Sequence, residues 1–264
     1  MPTSAADLRA DCSRCAGLCC VAPAFARSSD FAIDKPAGTA CLHLLDDFRC
    51  EIHERLRPAG FAGCTVFDCF GAGQRTLKAY GGRSWRDADV VASQVFVVFD
   101  VLRALHELLW HLAEVLRHGE VTGLHARARQ LREQVEGAAA RVPDDVIEVE
   151  VEALRGTVGV LLAEASRLVR GDGRDLSHAD LVGRRFREDD LRACDLHGAL
   201  LLGADLHGAV LDRTDLLGAD LRGCDLRGAD LRTALFLTQV QVDAGLGDAH
   251  TLLPEPLTRP SHWS

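Results

Sequence analysis

The sequence has little that would place the chain in a membrane. The start lacks a basic stretch followed by an apolar core, so we expect no signal peptide. The longest apolar stretch, residues 95–116, is interrupted by Asp100, Arg103, His106 and Glu107, which indicates an amphipathic helix instead of a membrane span. We therefore predict a cytoplasmic protein with no membrane partner.

Positive charge and the common catalytic signatures are also scarce. Thirty Lys and Arg residues stand against 39 Asp and Glu residues, a net charge of −9 that argues against nucleic-acid partners. There is no dinucleotide-binding fingerprint, P-loop or nucleophile elbow. His106 and His111 stand five residues apart, so they do not share a helix face as the histidines of a zinc protease do. These absences favour a non-catalytic protein without excluding an enzyme.

Cysteine, by contrast, is abundant and unevenly placed. Eight of the ten cysteines lie within the first 69 residues. In a reducing cytosol, clustered cysteines bind metal more often than they form disulfides. Residues 1–74 are rich in Cys, Gly and Pro and have little apolar periodicity, so a metal or a neighbouring domain is needed to hold them. We predict that this segment is a metal-binding module.

The candidate ligands are soft donors at short spacings. Thiolates two or three residues apart can converge on one ion, and soft ligands select zinc, an iron–sulfur cluster or iron. Eight thiols are more than the four ligands of one tetrahedral site. Three arrangements stay open: two zinc sites, one iron–sulfur cluster with extra thiols, or one site with thiols that bind no metal. The candidates are Cys12, Cys15, Cys19, Cys20, Cys41, Cys50, Cys64 and Cys69, with His43 and His53 as further possible ligands.

The paired Cys19–Cys20 and the later stretch CEIHERLRP…GC resemble the CxxCxxCC-type zinc- or iron-chelating family, which includes flagellin lysine methylases. The resemblance covers residues 12–69 and implies metal binding. This sequence departs from that family in the three-residue gap before Cys19, in His53 where the family has an aromatic residue, and in the extra Cys64 and Cys69. The turn GAGQ that comes next, residues 71–74, is interpreted as a plain turn, with an anion site or close approach to a metal site as alternatives.

Residues 75–172 carry helical periodicity. A helix is predicted from Ser84, as N-cap in SWRD, to Gly119; at 1.5 Å per residue it would be about 50 Å long. Further helices are predicted over residues 123–140 and roughly 145–169, with an uncertain start for the last because VIEVEVEAL alternates like a strand. We interpret the zone as an antiparallel helical bundle or a dimerising hairpin, which makes a homodimer possible.

From Arg174 the chain falls into thirteen pentads, RDLSH ADLVG RRFRE DDLRA CDLHG ALLLG ADLHG AVLDR TDLLG ADLRG CDLRG ADLRT ALFLT, with Leu or Phe always third. Such a short period indicates a solenoid whose units stack on their neighbours. The early pentads depart from the pattern. Their first place is taken by Arg174, Arg184 and Asp189, whereas every pentad from Cys194 onward has Ala, Cys or Thr there. Cys194 and Cys224 take that place as small core residues.

Gln241 breaks the register, and a capping helix is predicted around residues 240–252, with Trp263 packing beneath it.

These pentads resemble the pentapeptide-repeat family, whose consensus is A(D/N)LxG. The resemblance implies a right-handed quadrilateral β-helix of about three coils, with the first and third places of each pentad pointing inward. The fold class we predict is therefore multi-domain, with a pentapeptide-repeat β-helix preceded by an α-helical bundle and a Cys-rich metal-binding segment. The predicted domains are residues 1–74, 75–172 and 173–264, the last divided into repeats at 174–238 and a cap at 239–264.

Three functions are consistent with these patterns. The first is a cytoplasmic zinc-binding scaffold that binds a protein partner without catalysis. The second is an iron–sulfur or iron-dependent redox enzyme that uses the N-terminal cysteines. The third comes from the family resemblance, since some members mimic DNA and bind type II topoisomerases. That function needs a long acidic rod, whereas residues 174–238 hold twelve acidic residues and nine arginines.

Overall fold

The structure is a computed structural model, and it describes residues 3, 7–187 and 190–263. The chain divides into two compact units, Met1–Leu162 and Ala163–Ser264. The boundary falls inside a helix, so the last turns of that helix belong to the second unit. The division into three domains at residues 74 and 172 stays a prediction.

The described residues contain eight α-helices and three short 3-10 helices. The α-helices are α1 (Leu18–Val21), α2 (Ala62–Thr65), α3 (Ala72–Ala79), α4 (Ala92–Val115), α5 (His125–Ala139), α6 (Pro143–Val146), α7 (Val151–Arg170) and α8 (Gln239–Ala244). The 3-10 helices are Cys12–Arg14, His53–Arg55 and Gly119–Leu124. Within the described part of the chain, no helix is both apolar enough and long enough to span a bilayer.

The long helix α4 is the centre of the first unit. It starts eight residues later than Ser84, because the Ser84 hydroxyl and backbone N–H both bond the Asp87 carboxylate in a separate turn. Val91, with extended backbone angles, takes the N-cap position instead. Helix α4 packs against α3, α5 and α6. Its buried face includes Val98, Phe99, Leu102, Leu105, Leu109 and Leu112.

The Cys-rich segment is built mainly from turns. Two isolated antiparallel bridges, Phe25–Lys35 and Leu44–Cys50, hold its loops together. A small apolar core forms within it from Phe25, Cys41, Ile52, Leu56 and Phe61. The indole N–H of Trp85 donates to the Ala16 carbonyl at 2.8 Å, which fastens the segment to the chain that leads into α4.

The predicted β-helix is wrong, because the described residues of the pentad region form no β-strand. Instead, single residues twenty positions apart form isolated parallel bridges, for example Asp195–Asp215 and Asp205–Asp225. The bridging residues recur every five positions, and a turn separates each one from the next. Neighbouring bridges therefore do not join into a continuous β-ladder. The turn peptides stack as well, since the Gly198 N–H donates to the Leu217 carbonyl at 2.9 Å.

Most pentad corners among the described residues are turns closed by a hydrogen bond between the third place and the next first place. The Ala199 N–H, for example, donates to the Leu196 carbonyl at 3.0 Å, and Gly198 between them has a φ of +61°. Positive φ at the third turn residue favours glycine, which accounts for the frequent Gly in the fifth place. Ala193 and Arg213 take the same place with φ values of +58° and +52°.

The first and third places of the later pentads form the core of the second unit. The core includes Leu196, Ala199, Leu201, Ala204 and Leu206, and Cys194 and Cys224 stand among them, at 1% and 0% exposure. The early pentads differ, since Arg174 and Arg184 are exposed. Asp189 lies outside the described residues.

The last turns of α7 cover the start of the pentads within the second unit. The Arg170 guanidinium donates to the Asp195 carboxylate at 2.7 Å and to the Ala193 carbonyl at 3.0 Å. Ser166 bonds both Arg170 and the buried Asp215, whose pKa is raised by burial. The arginine therefore satisfies a carbonyl and a carboxylate that lie beside the buried core.

Gln241 closes the other end. Its amide N–H groups donate to the carbonyls of Leu216 and Ala219, at 2.7 and 3.0 Å. Its carbonyl accepts from Thr238, which caps the short helix α8. At the position where the pentad register breaks, a polar side chain thus donates hydrogen bonds to carbonyls inside the stack. Trp263 is buried in the same core, and its indole N–H donates to the Gly245 carbonyl.

Candidate functional site: the cysteine cluster

All eight predicted cysteine ligands lie in the first unit, and none of them forms a disulfide. They come from separate parts of the chain, and the sulfur of Cys19 lies 3.9 Å from the sulfur of Cys20. A negative charge on Cys19 would raise the pKa of the thiols of Cys12, Cys15, Cys50, Cys64 and Cys69. Cys15 and Cys69, 54 positions apart in the chain, are thus neighbours in the fold.

Cys15 and Cys69 meet over Gly73, at the start of α3. A Cβ on Gly73 would stand 2.5 Å from the Cys15 sulfur and 4.0 Å from the Cys69 sulfur. The glycine therefore leaves the space that the Cys15 sulfur uses. Together with Cys12 and Cys19, which interact electrostatically with each other, these residues are named here the first thiol group.

Backbone N–H groups are aimed at the sulfurs of the first thiol group. Burial raises the pKa of the Cys15 thiol to about 12, and hydrogen bonds from the N–H groups of Leu18 and Gly17 act against that rise. Burial also raises the pKa of Cys69, and the N–H groups of Gly73 and Gly71 oppose it. Such donors stabilise a thiolate over a thiol, and they surround the sulfurs of metal-bound cysteines.

A second thiol group, Cys20, Cys41, Cys50 and Cys64, packs on the small apolar core of the segment. The Cys41 N–H donates to the Cys20 carbonyl at 2.9 Å, and the Cys50 sulfur shares a hydrogen bond with the Cys20 thiol. Cys64 interacts electrostatically with Cys41 and Cys50. Burial is the main reason that the pKa of Cys64 rises to about 12.

A buried lysine accompanies the second thiol group. Lys35 is 4% exposed, and its ammonium group donates to the carbonyls of Val21 and Thr39, at 3.2 and 2.9 Å, and to those of Pro23 and Pro36. Burial lowers the pKa of Lys35, while negative charge on Cys41, Cys20 and Cys64 would raise it. A cation held in this place compensates negative charge on the neighbouring sulfurs.

The two histidines named as further possible ligands are in different surroundings. The Nδ1 atom of His43 lies 3.4 Å from the Glu51 carboxylate, and its ring packs edge-on against Phe61. His53 is exposed in a 3-10 helix. His43 therefore has a carboxylate partner beside the second thiol group, whereas the ligand role of His53 stays a prediction.

Among the described residues, no three or more Cys, His, Asp or Glu side chains are already arranged as a metal site. The donor set nevertheless fits a soft metal, since eight thiols stand near one another with N–H donors and a buried ammonium beside them. Protonated thiols must lose their protons to bind metal, and the sulfurs would then draw together around the ion.

Three residues of this region were not identified from the sequence. Lys35 is one lysine in a loop, and nothing in the pattern around it marks it as buried. Asp68 lies beside Cys12 and Cys69, and burial raises its pKa. His106 lies on α4 and bonds the Phe70 carbonyl at 2.7 Å, next to Cys69 in the chain. The GAGQ stretch was interpreted as a plain turn, but its last three residues begin helix α3, and Gly73 lies beside the sulfurs of Cys15 and Cys69.

The pentad surface differs from the cysteine region. Four arginines in the fourth place pair with the aspartate two residues earlier, as Arg222 does with Asp220 at 2.6 Å and Arg227 with Asp225 at 2.5 Å, whereas Arg187 pairs with Asp205. Apolar side chains are exposed elsewhere on the same unit, namely Val182, Leu200 and Leu202. Leu237, in the fourth place of the last pentad, is buried in the core instead of exposed.

The pentads define the class of this protein. The family model described as pentapeptide repeats matches eight copies over residues 190–228 and 200–236. The chain therefore belongs to the pentapeptide-repeat proteins through its C-terminal region. The match does not extend to residues 12–69, so the resemblance of the Cys-rich segment to a metal-chelating family stays a prediction.

The whole chain is similar to one protein in particular. It is 43% identical over 265 residues to "Uncharacterized protein YybG" of Bacillus subtilis (strain 168), which covers 97% of this chain and 95% of that protein. The similarity to this relative therefore extends over both units of the chain and is not confined to the repeats.

Solved pentapeptide repeat proteins match shorter parts. A pentapeptide repeat protein from the cyanobacterium Cyanothece 51142 is 33% identical, covers 30% of this chain and 53% of that chain, and has a TM-score of 0.28. HetL, described as involved in heterocyst differentiation regulation in Nostoc sp. strain PCC 7120, is 31% identical, covers 32% and 36%, and has a TM-score of 0.24. This chain spans about half or less of the length of these two structures.

Proposed function

We propose that this pentapeptide-repeat protein is a cytoplasmic zinc-binding scaffold. The N-terminal cysteines would hold the metal, and the repeats would present a surface to a protein partner. One observation carries the proposal: eight thiols without disulfides come from separate parts of the chain into the first unit, with the sulfurs of Cys19 and Cys20 3.9 Å apart and those of Cys15 and Cys69 both beside Gly73. Free thiols in this number persist in a reducing compartment, which supports the cytoplasm.

Metal would supply stability that the Cys-rich segment lacks. The segment has one small apolar core and two isolated bridges, and the rest of it is turns and short helices. Folding energy in such a segment commonly comes from metal–thiolate bonds. The role proposed for zinc is therefore structural, and it needs no substrate position at the metal.

The scaffold role is supported by the pentad surface. Val182 and Leu202 stand twenty residues apart, and the Gly183 N–H bonds the Leu202 carbonyl, so the two side chains project from neighbouring levels of the stack. With Leu200 they form an exposed apolar patch, which suits contact with another protein. DNA mimicry is supported less, because arginines neutralise the aspartates within their own pentads.

The experiment is metal analysis of the full chain, purified without oxygen and without a metal-affinity tag, together with a visible spectrum. Stoichiometric zinc in a colourless solution is the expected result. A Cys19→Ser variant should lose metal, whereas Cys224→Ala, whose thiol lies in the pentad core, should retain all of it.

Two other outcomes would contradict the proposal. Protein without metal, with all eight N-terminal thiols open to a thiol reagent, would remove the metal-binding role. Bound iron with broad visible absorbance would favour the alternative hypothesis, an iron or iron–sulfur redox protein, over the zinc-binding scaffold.

A further inference from the structure

We propose that the repeats bind a second copy of this chain, through the exposed apolar patch of Val182, Leu200 and Leu202 in the second unit. The inference rests on the scaffold part of the proposed function and deepens it, because it names the protein partner. It does not depend on metal, since no residue of the Cys-rich segment takes part.

The patch interrupts the polar surface that other pentads present. In the pentad of Asp220, the aspartate accepts from the backbone N–H of Arg222 at 3.1 Å and pairs with its guanidinium at 2.6 Å. In ALLLG, residues 199–203, leucine takes both of these places, the second and the fourth. Leu200 and Leu202 are 47% and 41% exposed. This pentad therefore exposes two large apolar side chains where its neighbour on the next level exposes an ion pair.

The chain itself covers the other pentad that has leucine in both places. In ALFLT, residues 234–238, Leu235 and Leu237 are 0% and 3% exposed. Leu237 belongs to the same apolar core as Val242 and Trp263 of the C-terminal cap. Burying apolar area is favourable at about 25 cal/mol per Å². The exposed pair in ALLLG has the same incentive to be buried, and association would supply the cover.

The face that carries the patch is charged at its two ends and uncharged at its centre. Backbone hydrogen bonds stack three successive levels of this face, which are residues 180–182, 200–202 and 220–222. The first level carries Asp180 beside Val182, and the third carries Asp220 beside Arg222. An apolar centre with a polar rim is the usual anatomy of a protein interface.

A second copy matches this face when the two-fold axis runs along the stack. Each second place then faces the fourth place of the other copy on the same level. Leu200 contacts Leu202 of the second copy, and Asp220 faces Arg222 of the second copy, twice by symmetry. With the axis across the stack, the first level would face the third, and Asp180 would meet Asp220 of the second copy. Like charges oppose that arrangement, so the charges select the first one.

The size of the face sets the strength of the association. Its three levels are about 4.8 Å apart, whereas a stable complex buries about 800 Å² on each partner. We therefore expect a weak dimer that forms as the protein concentration rises.

The test is sedimentation velocity of the full-length protein from about 10 µM to about 1 mM. The sedimentation coefficient of the wild type should rise with concentration toward that of a dimer. Leu202→Asp should stay monomeric. Leu252→Asp is the matched control, because Leu252 is also 41% exposed but bridges to Asp230 on another side of the stack. It should dimerise as the wild type does.

Charge exchange tests the arrangement of the two copies. Arg222→Asp puts aspartate opposite aspartate, and Asp220→Arg puts arginine opposite arginine, so each variant alone should associate about tenfold more weakly. An equimolar mixture of the two variants should recover the association, because every aspartate then faces an arginine. Arg227→Asp, which breaks a like pair on the neighbouring pentad, should leave self-association unchanged.

A wild type that stays monomeric at about 1 mM would overturn the inference and leave another protein as the partner of the scaffold. A dimer that Leu202→Asp leaves intact would overturn it as well. A mixture that associates no better than its components, with circular dichroism unchanged, would refute the arrangement along the stack. Metal content measured in the same samples keeps the two proposals apart, since a dimer without metal would contradict zinc binding and support the inference.

Discussion

The sulfur of Cys15 lies 2.5 Å from the point that a Cβ on Gly73 would occupy, and the sulfur of Cys69 lies 4.0 Å from it. Gly73 stands in the first turn of α3, and its own N–H donates to the Cys69 sulfur. One glycine thus lets a helix start directly beneath two thiols. A side chain here would compete with the sulfur for the same space.

Gly73→Ala should destabilise the first unit by about 1–3 kcal/mol through overpacking, although alanine is the better helix former. It should also lower the retention of metal. Gly137→Ala in α5 is the matched control, because a Cβ there meets no atom within 4 Å. It should stabilise the protein by up to about 1 kcal/mol. Urea unfolding of both variants measures the difference, and equal shifts would refute the packing argument.

Lys35→Met should destabilise the first unit by about 2–4 kcal/mol, because several buried carbonyls lose their donor. If the ammonium also compensates negative charge on thiolates, the variant should lose its bound metal to a competing chelator more easily than the wild type does. Lys78→Met, on the exposed side of α3, should change neither quantity. An unchanged denaturation midpoint for Lys35→Met would show that the carbonyls find other donors.

Arg213→Gly should stabilise the second unit by up to about 1 kcal/mol, because Arg213 has a φ of +52° in a place that favours glycine. The control is Arg232→Gly, in a fourth place where φ is not positive. That change should destabilise by about 0.5–1 kcal/mol through greater freedom of the unfolded chain. Thermal unfolding should move the two midpoints in opposite directions. A lower midpoint for Arg213→Gly would contradict the backbone argument.

Cys224→Ala should make the protein less sensitive to alkali. Burial raises the pKa of Cys224 to about 12, so its contribution to stability is complete below the pKa of the unfolded thiol and is lost as pH rises toward 12. The loss has a slope of at most about 1.4 kcal/mol per pH unit. Urea midpoints at pH 7 and pH 10 give the comparison. The variant should lose less stability between them than the wild type, and equal losses would show that this thiol does not titrate.

Much of the second unit could be predicted because its sequence repeats. The family resemblance implied that the first and third places of each pentad point inward, and Leu196, Ala199 and Cys224 are buried as expected. The strand prediction failed because the same register allows only one bridging residue per pentad. Between the bridges, backbone N–H and carbonyl groups bond each other within turns, so no strand forms in the described pentads.

The helical zone was predicted in outline and its first boundary was wrong. Apolar spacing predicted the helix over most of α4, since a helix face needs apolar residues every three or four positions. Ser84 and Asp87 made the expected pair, but they closed a turn of their own ahead of Val91. A capping signal is local, whereas the choice between a separate turn and a helix start depends on how the next residues pack in the folded chain.

The sequence by itself determined the family of the repeats, the fivefold register of the pentads and the crowding of eight cysteines into the first 69 residues. Those properties depend on residue type and spacing, which are visible without coordinates. Only the tertiary structure decided that Gly73 makes room for Cys15, that Lys35 is buried beside Cys20, and that Gln241 satisfies carbonyls within the stack. These contacts join residues distant in the chain, and no local pattern encodes which of them will meet.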